Sequence, residues 1–331
     1  MISDGPRQPV TPRVFVTRQI PEAGLVPLRE RFSVDVWPGP LPPSHETLRE
    51  SVAGCAGILS LLTDRIDVEI MDAAGAGLRV VSNFAVGVDN VDVAEATRRK
   101  IPVGNTPGVL TEATADLAWS LLMAAARRLI EGDRYVRSGQ WHTWEPQLLL
   151  GAEVHGATLG VVGYGRIGQA VARRARGFDM RVLYTRLGPD TREEWATRVS
   201  FEQLLDECDF VSIHTPFTEE TRHLFNAEAF RRMKPGAILI NTARGPVVET
   251  AALVDALRSG HLGAAALDVT DPEPLPADHP LLRLDRCIVS PHLGSATHAT
   301  RNRMAQMAAA NLIAGLAGER LPHCANPEVY R

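Results

Sequence analysis

Arg244, Glu273 and His292 are the residues of this 331-residue chain whose types, taken together, suit the reduction of a carbonyl group. An Arg guanidinium binds a planar carboxylate through two parallel hydrogen bonds. An imidazole gives up and takes back a proton near neutral pH. A carboxylate held against the other ring nitrogen orients that imidazole and favours its protonated form. A carbonyl that receives a hydride becomes an alkoxide and needs such a proton, and a nicotinamide is the hydride source such chemistry uses. Taken singly, each residue is ambiguous. Arg244 would serve equally as a surface ion-pair partner, Glu273 as a turn residue between Pro272 and Pro274, and a lone histidine is more often structural. The case for them is positional. Arg244 follows the apolar run Ala237 to Asn241, Glu273 follows Ala264 to Asp268, and His292 follows Cys287 to Ser290. In an open parallel sheet, ligands bind beyond the carboxyl ends of the strands. The three therefore converge on one sheet edge.

The element that must sit beside them is Thr158-Leu-Gly-Val-Val followed by Gly163-Tyr164-Gly165-Arg166-Ile167-Gly168 and an Ala- and Arg-rich stretch to Arg176. This is the strand, tight turn and helix start of a dinucleotide-binding βαβ unit. Gly163 allows the turn, Gly165 lets backbone approach a pyrophosphate, and Gly168 lets helix and strand pack closely. The open N–H groups and the helix dipole favour phosphate charge. A site built for NAD places Asp or Glu at the end of the next strand, Arg181 to Thr185, to bond the ribose 2′-hydroxyl. No acid stands there: Asp179 precedes the strand and Asp190 follows a Gly-Pro turn. Thr185 and Arg186 instead suit a 2′-phosphate, so NADP is expected over NAD.

The rest of the chain reads as scaffold. Its length suggests two domains. A net charge of −4 gives no basic excess for nucleic acid. Cys55, Cys208, Cys287 and Cys324 make no Cys-x-x-Cys pair and no cluster of zinc-binding spacing, so free thiols and no metal are expected. Met1 to Arg13, with three prolines and no apolar segment, reads as a floppy leader, and no apolar run is long enough to span a membrane. A cytoplasmic protein is expected. Strands near Arg13–Thr17, Val34–Trp37, Gly57–Leu62, Leu78–Ser82 and Ile101–Val103 alternate with helices near Leu25–Phe32, Glu46–Val52, Asp67–Ala74 and Ala94–Lys100. Thr111 to Arg128 is a long helix and Ser138 to Gly151 a loop with Trp141 and Trp144. Beyond it, strands at 158–162, 181–185, 210–213, 237–241, 264–268 and 287–290 form a six-stranded doubly wound pattern, and Arg301 to Leu316 closes the chain as a helix.

The set Asn83-Phe-Ala-Val-Gly87-Val-Asp-Asn90, Asn105-Thr-Pro-Gly-Val-Leu-Thr111, the glycine loop, Asn241-Thr-Ala-Arg-Gly245, Asp268 with Glu273, and Pro291-His292 resembles the D-isomer-specific 2-hydroxyacid dehydrogenase family from about Arg13 to Pro322. The resemblance implies two doubly wound α/β domains, a Rossmann nucleotide domain over 105–296 inserted into a flavodoxin-like substrate domain of 1–104 and 297–331. It implies His292 as general acid/base, Glu273 as its partner and Arg244 as substrate anchor. Leu62, Val86, Gly87 and Trp144 would meet the substrate, with the Val86 and Gly87 N–H groups on its carboxylate. Besides the glycine loop with Tyr164, Arg166 and Ile167, it assigns cofactor contacts to Thr111, Thr185, Arg186, His214, Thr215, Pro216, Thr242, Ala243, Asp268, His292 and Gly294, with Asp268 and the Ala243 carbonyl on the nicotinamide carboxamide. It also implies a homodimer.

The stretch Val136 to Gly151 and the strand ending Tyr184-Thr185-Arg186 resemble the glyoxylate/hydroxypyruvate reductase branch. The rivals are a phosphoglycerate dehydrogenase-like enzyme, for which only Arg65 is an available cation near residues 60–65, a phosphite oxidase, and a nucleotide-sensing corepressor of the same fold.

Overall fold

The computed structural model describes residues 11–186, 188 and 193–331. Most of the expected leader, and Asp190, lie outside these residues; Arg13 already opens the first strand. The chain divides into two compact units, one running to Leu110 and resumed over Thr297–Arg331, the other spanning Thr111–Ala296. The first boundary falls at Leu110 rather than at residue 104. The reason is local: Asn105 Nδ2 donates to the Val86 carbonyl at 2.8 Å and the Thr106 amide to Ala85 O at 2.8 Å, tying this segment to the first unit.

The first unit holds a five-stranded parallel sheet of β1 (Arg13–Val16), β2 (Ser33–Val36), β3 (Gly57–Ser60), β4 (Val80–Asn83) and β5 (Val103–Gly104), in the order β2-β1-β3-β4-β5. Strands β3 and β4 are buried along their whole length, which is why they read as continuous apolar runs rather than alternating ones. Helices α1 (Glu22–Arg29), α2 (His45–Ser51), α3 (Val68–Ala74) and α4 (Val93–Arg98) connect them. Ser44, Asp67 and Asp92 cap α2, α3 and α4 by accepting a backbone N–H of the first turn. Helix α1 begins one turn earlier than the apolar spacing suggests, directly after Pro21, whose fixed φ suits the residue before a helix.

The second unit begins with α5 (Thr111–Ala126) and α6 (Leu129–Arg137). Helix α6 was not among the expected elements; none of its residues is buried, and its Leu129, Ile130 and Val136 stand exposed. The nucleotide unit follows as β6 (Thr158–Val162), α7 (Arg166–Ala175) and β7 (Arg181–Thr185). Then come β8 (Ala196–Arg198), α8 (Phe201–Glu207), β9 (Phe210–Ile213), α9 (Ala227–Arg232), β10 (Ile238–Asn241), α10 (Thr250–Arg258), β11 (Ala264–Leu267) and β12 (Cys287–Val289). The described sheet has seven parallel strands, ordered β12-β11-β10-β9-β6-β7-β8, and not six. The added strand is β8, a three-residue edge whose Thr197 and Arg198 are exposed, so it carries no apolar signal. The order reverses at β6, and that switch point is where such sheets bind nucleotides.

Helix α11 (His298–Ala317) returns to the first unit and packs on α1, β3 and β4. The segment after it is stitched down by Asn326, which is fully buried. Its Oδ1 accepts the Val103 amide at 2.8 Å, and its Nδ2 donates to Thr97 Oγ1 at 2.9 Å and Ile101 O at 3.1 Å. Asn326→Ala should leave these groups unsatisfied and lower stability by about 2–3 kcal/mol. Urea unfolding followed by tryptophan fluorescence of the first unit, through Trp37, would measure it; an unchanged midpoint would show that the C-terminal segment adds nothing.

Candidate active site

The turn between β6 and α7 is shaped by steric necessity at two of its glycines. Gly163 adopts φ +96°, and a Cβ there would lie 2.5 Å from the Thr215 amide nitrogen. A Cβ on Gly168 would lie 2.1 Å from the Gly163 carbonyl oxygen. Gly165 differs. Its φ is −82°, ordinary for any residue, and a Cβ would meet nothing within 4 Å. No internal contact requires glycine at 165, and the space in front of it is open. That is the surface a pyrophosphate would occupy. Gly165 caps α7 with no side-chain hydrogen bond, and no acid stands in the first helical turn, so the helix N-terminus offers free N–H donors and an unopposed dipole. The residues present fit a dinucleotide.

The ends of β7 and β9 flank this turn. Tyr164 is buried and stacks on Tyr184 of β7, ring centroids 3.8 Å apart. Arg186, just past β7, donates from Nη1 to the Tyr164 carbonyl at 3.3 Å, and Arg198 of β8 donates from Nη2 to the Arg186 carbonyl at 2.8 Å. A second guanidinium therefore stands at the strand end where Thr185 and Arg186 are expected to act. Arg198 is invisible to sequence reading because its strand is. His214, after β9, bonds Ser212 Oγ at 2.7 Å and lies 3.4 Å from Thr242 Oγ1. Burial pushes its pKa down to about 3, so the ring is neutral at physiological pH.

Arg244, Glu273 and His292 all fall within the second unit, beyond the ends of β10, β11 and β12. His292 Nδ1 and Glu273 Oε1 are 2.7 Å apart, leaving Nε2 as the free ring nitrogen. Burial raises the Glu273 carboxyl, but the His292 hydrogen bond and charge, the Thr270 amide and the Arg244 charge together outweigh it and hold the carboxyl below its usual range. Arg244 is thus near enough for its charge to be felt at Glu273. Its Nη1 donates to the Ala243 carbonyl at 2.8 Å. Buried Asn241 fixes the backbone around it, donating from Nδ2 to Arg244 O at 2.9 Å and accepting the Ala243 amide on Oδ1 at 3.0 Å. At Gly245 a Cβ would lie 1.9 Å from the Thr270 carbonyl oxygen. Glycine there lets the Glu273 loop press against the Arg244 strand end.

Asp268 organises the third member. Its buried carboxylate accepts Ser290 Oγ at 2.5 Å and the Leu293 amide at 2.7 Å on Oδ1, and the Gly294 amide at 2.8 Å on Oδ2. The His292 amide donates to the Asp268 carbonyl at 3.0 Å. These bonds hold His292 at φ +54°, a conformation uncommon for a non-glycine residue. Sequence reasoning assigns no role to Ser290 or Asn241; both are polar residues at strand ends, the only signal available.

Other expected residues lie in the first unit and are described with it. Leu62 sits in the turn after β3, and Val86 and Gly87 in the turn after β4. Among the described residues, the Val86 and Gly87 amides donate no hydrogen bond, while Asn105 and Asn83 hold the Val86 and Gly87 carbonyls. These two adjacent unpaired amides, the Val86–Gly87 nest of the expected site, are the donors assigned to a carboxylate by resemblance. In the second unit, Thr111 opens α5 and Trp144 is 79% exposed in the loop after α6.

Comparison with known proteins agrees with this geometry. Residues 119–294 match the family model for the D-isomer specific 2-hydroxyacid dehydrogenase NAD-binding domain. Over 324 residues the chain is 54% identical to a glyoxylate reductase of Korarchaeum cryptofilum, covering 97% of each chain. It superposes on the crystal structure of a Thermus thermophilus protein with a TM-score of 0.90 at 52% identity, covering 95% of this chain and 99% of that one. It superposes on the NADPH-dependent glyoxylate/hydroxypyruvate reductase of Sinorhizobium meliloti, in complex with NADP and malonate, with a TM-score of 0.85 at 31% identity, covering 96% and 98%. A glycine-turn Rossmann sheet with these sequence relatives defines a dehydrogenase that uses a nicotinamide dinucleotide. The chain belongs to the D-isomer-specific 2-hydroxyacid dehydrogenase family, in its glyoxylate reductase branch.

The His292–Glu273 contact carries a pH signature. Because the Glu273 carboxyl is held low, the pair's stabilisation is present above the ordinary carboxyl pKa and is lost as pH falls through the lowered one. Glu273→Gln removes the carboxylate that this stabilisation depends on, so the urea-unfolding midpoint of the variant should lie below that of the wild type at neutral pH and the two should converge as pH falls below the carboxyl range. An equal gap at all pH values would show that the Glu273 charge adds nothing to the pair.

Proposed function

We propose that this enzyme reduces small 2-keto acids to D-2-hydroxy acids, glyoxylate to glycolate and hydroxypyruvate to D-glycerate first among them. The observation that carries the proposal is the 2.7 Å His292–Glu273 contact, within range of the Arg244 charge, beyond adjacent strand ends of a nucleotide-binding sheet. In the second unit Arg244 is the residue we assign to anchor the substrate and polarise the carbonyl; in the first unit the Val86 and Gly87 amides are the donors we assign to a carboxylate. His292 Nε2 gives its proton to the oxygen as the carbonyl is reduced, and Glu273 balances the imidazolium before transfer. A reduced nicotinamide supplies the hydride. The curated relatives named as glyoxylate reductases, at 54% and 50% identity, favour the small substrate over a phosphorylated one.

The cofactor reading is NADPH. Arg186 and Arg198 meet at the end of β7, and Thr185 stands where an NAD site places an acid. The Sinorhizobium relative is itself described as NADPH-dependent.

The quaternary reading is a homodimer formed through the second unit. Helix α6 buries none of its residues, yet it exposes Leu129, Ile130 and Val136, and the loop after it exposes Trp141, Trp144 and Leu150. A run of large apolar side chains left in water is the mark of a surface that another chain covers. Among the described residues no helix is long and apolar enough to cross a membrane. The four cysteines are free thiols, the state that a reducing cytoplasm maintains, and the cytoplasm is the compartment we assign.

Three measurements test this reading. With glyoxylate, hydroxypyruvate, pyruvate and phosphohydroxypyruvate against each reduced cofactor, the enzyme should prefer glyoxylate or hydroxypyruvate with NADPH; negligible turnover at millimolar substrate would point instead to a nucleotide-sensing corepressor. His292→Ala should lower kcat by about 10²–10⁴-fold with little change in cofactor KM. Arg244→Ala should raise the KM for the keto acid and also slow turnover. Wild-type kcat/KM in Arg244→Ala would remove Arg244 as the anchor.

A further inference from the structure

The turn after β3, Leu61–Asp64, is held more tightly than a surface turn requires. Asp64 keeps only 3% of its surface exposed in the first unit. Its Oδ2 accepts the Thr17 hydroxyl at 2.5 Å and the Leu61 amide at 2.7 Å. Its own amide donates to Leu61 O at 3.1 Å, so the turn closes on itself. From the other side, Asn90 Nδ2 donates to the carbonyls of Leu61 and Asp64, each at 2.9 Å. What these bonds leave projecting from the turn is Leu62 and exposed Thr63.

The same polar core reaches the anion nest. Asn90 Oδ1 accepts Asn83 Nδ2 at 2.9 Å, Asn83 Nδ2 also donates to Gly87 O at 2.9 Å, and Ser60 Oγ donates to Asn83 Oδ1 at 3.0 Å. One hydrogen-bonded core therefore fixes both the Val86–Gly87 nest and the Leu62 turn.

A buried carboxylate is a costly way to pin a turn. Burial pushes the Asp64 carboxyl up, against the pull of Thr17, the Leu61 amide, the Arg18 charge and Thr63. Oδ1 of Asp64 and Nη1 of Arg18 are both buried, and neither has a hydrogen bond of good geometry from the described residues. The Arg18 charge is felt at the Asp64 carboxyl, and each of the two still carries unused hydrogen-bonding capacity beneath the turn.

We propose that Asp64, backed by Thr17 and Arg18, is a positioning residue that fixes Leu62 relative to the Val86–Gly87 nest and so sets which 2-keto acid side chain the enzyme accepts. This rests on the reading above in which the nest takes the carboxylate and Leu62 faces the rest of the substrate. The distance between nest and turn then discriminates hydrogen, methyl and hydroxymethyl on the carbonyl carbon.

The test compares kcat and KM for glyoxylate, pyruvate and hydroxypyruvate in the full-length wild type, Asp64→Ala and Asp64→Asn, with cofactor KM in each. Asp64→Ala should change the ratio of kcat/KM between glyoxylate and hydroxypyruvate by roughly ten-fold, mainly through keto-acid KM, with cofactor KM within about two-fold of wild type. Asp64→Asn, which keeps the shape and an acceptor for the Leu61 amide, should restore most of the wild-type ratio. If Asp64→Ala does not fold, Thr17→Val removes one donor to the carboxylate and should move the ratio in the same direction by a smaller factor. Equal loss on all three acids, with the ratio unmoved, would overturn the proposal and leave Asp64 a structural residue. Absence of 2-keto acid turnover in the wild type would instead sink the reading on which it rests.

Discussion

The Asp268 carboxylate is the charge around which the second unit's reactive edge is arranged. It is buried at the end of β11 and answered by the Ser290 hydroxyl and the Leu293 and Gly294 amides. An ionised group removed from water is tolerable only when its oxygens are bonded. The donors come from the residues on either side of His292. Satisfying Asp268 and placing His292 are therefore one event. The left-handed backbone at His292 costs on the order of 1 kcal/mol, and charge-assisted hydrogen bonds of about 1.5–3 kcal/mol each offset it readily. The imidazole then meets Glu273 without further adjustment.

The second constraint is lack of room. Gly168 against Gly163 and Gly245 against Thr270 are approaches that any side chain would block. The first sets how closely α7 lies on the end of β6. The second sets how closely the Glu273 loop lies on the Arg244 strand end. Both distances are fixed by backbone against backbone, which deforms less than side-chain packing. Gly165 is the exception in this turn, because its missing side chain relieves no internal crowding and leaves the start of α7 open.

Much of this was legible in the sequence because parallel strands buried on both faces give unbroken apolar runs, and β3, β4, β9, β10 and β11 are of that kind. Strand order places the residues after β10, β11 and β12 side by side, so Arg244, Glu273 and His292 could be grouped before any coordinates. What failed to show had no buried apolar face. Strand β8 is a polar edge and α6 has no buried face, and Arg198 was lost with β8. Asp268 was assigned to the cofactor by resemblance; the hydrogen bonds it makes are with the His292 loop, a use that depends on where a loop turns and not on residue type. Asp64 and Asn90 were unreadable for the same reason, since a polar residue gives no hint of whether it will be enclosed.

The discontinuity of the first unit has a consequence for how the polypeptide is made. Strands β3 and β4 rest against α11, and β5 is closed by Asn326. These partners leave the ribosome after the whole of the second unit. The second unit, continuous in sequence, has all its strands available first, while the apolar face of β3 and β4 waits uncovered. During synthesis the insert is expected to be folded before its host is complete, and the interval between the two is when the nascent protein has most need of a chaperone.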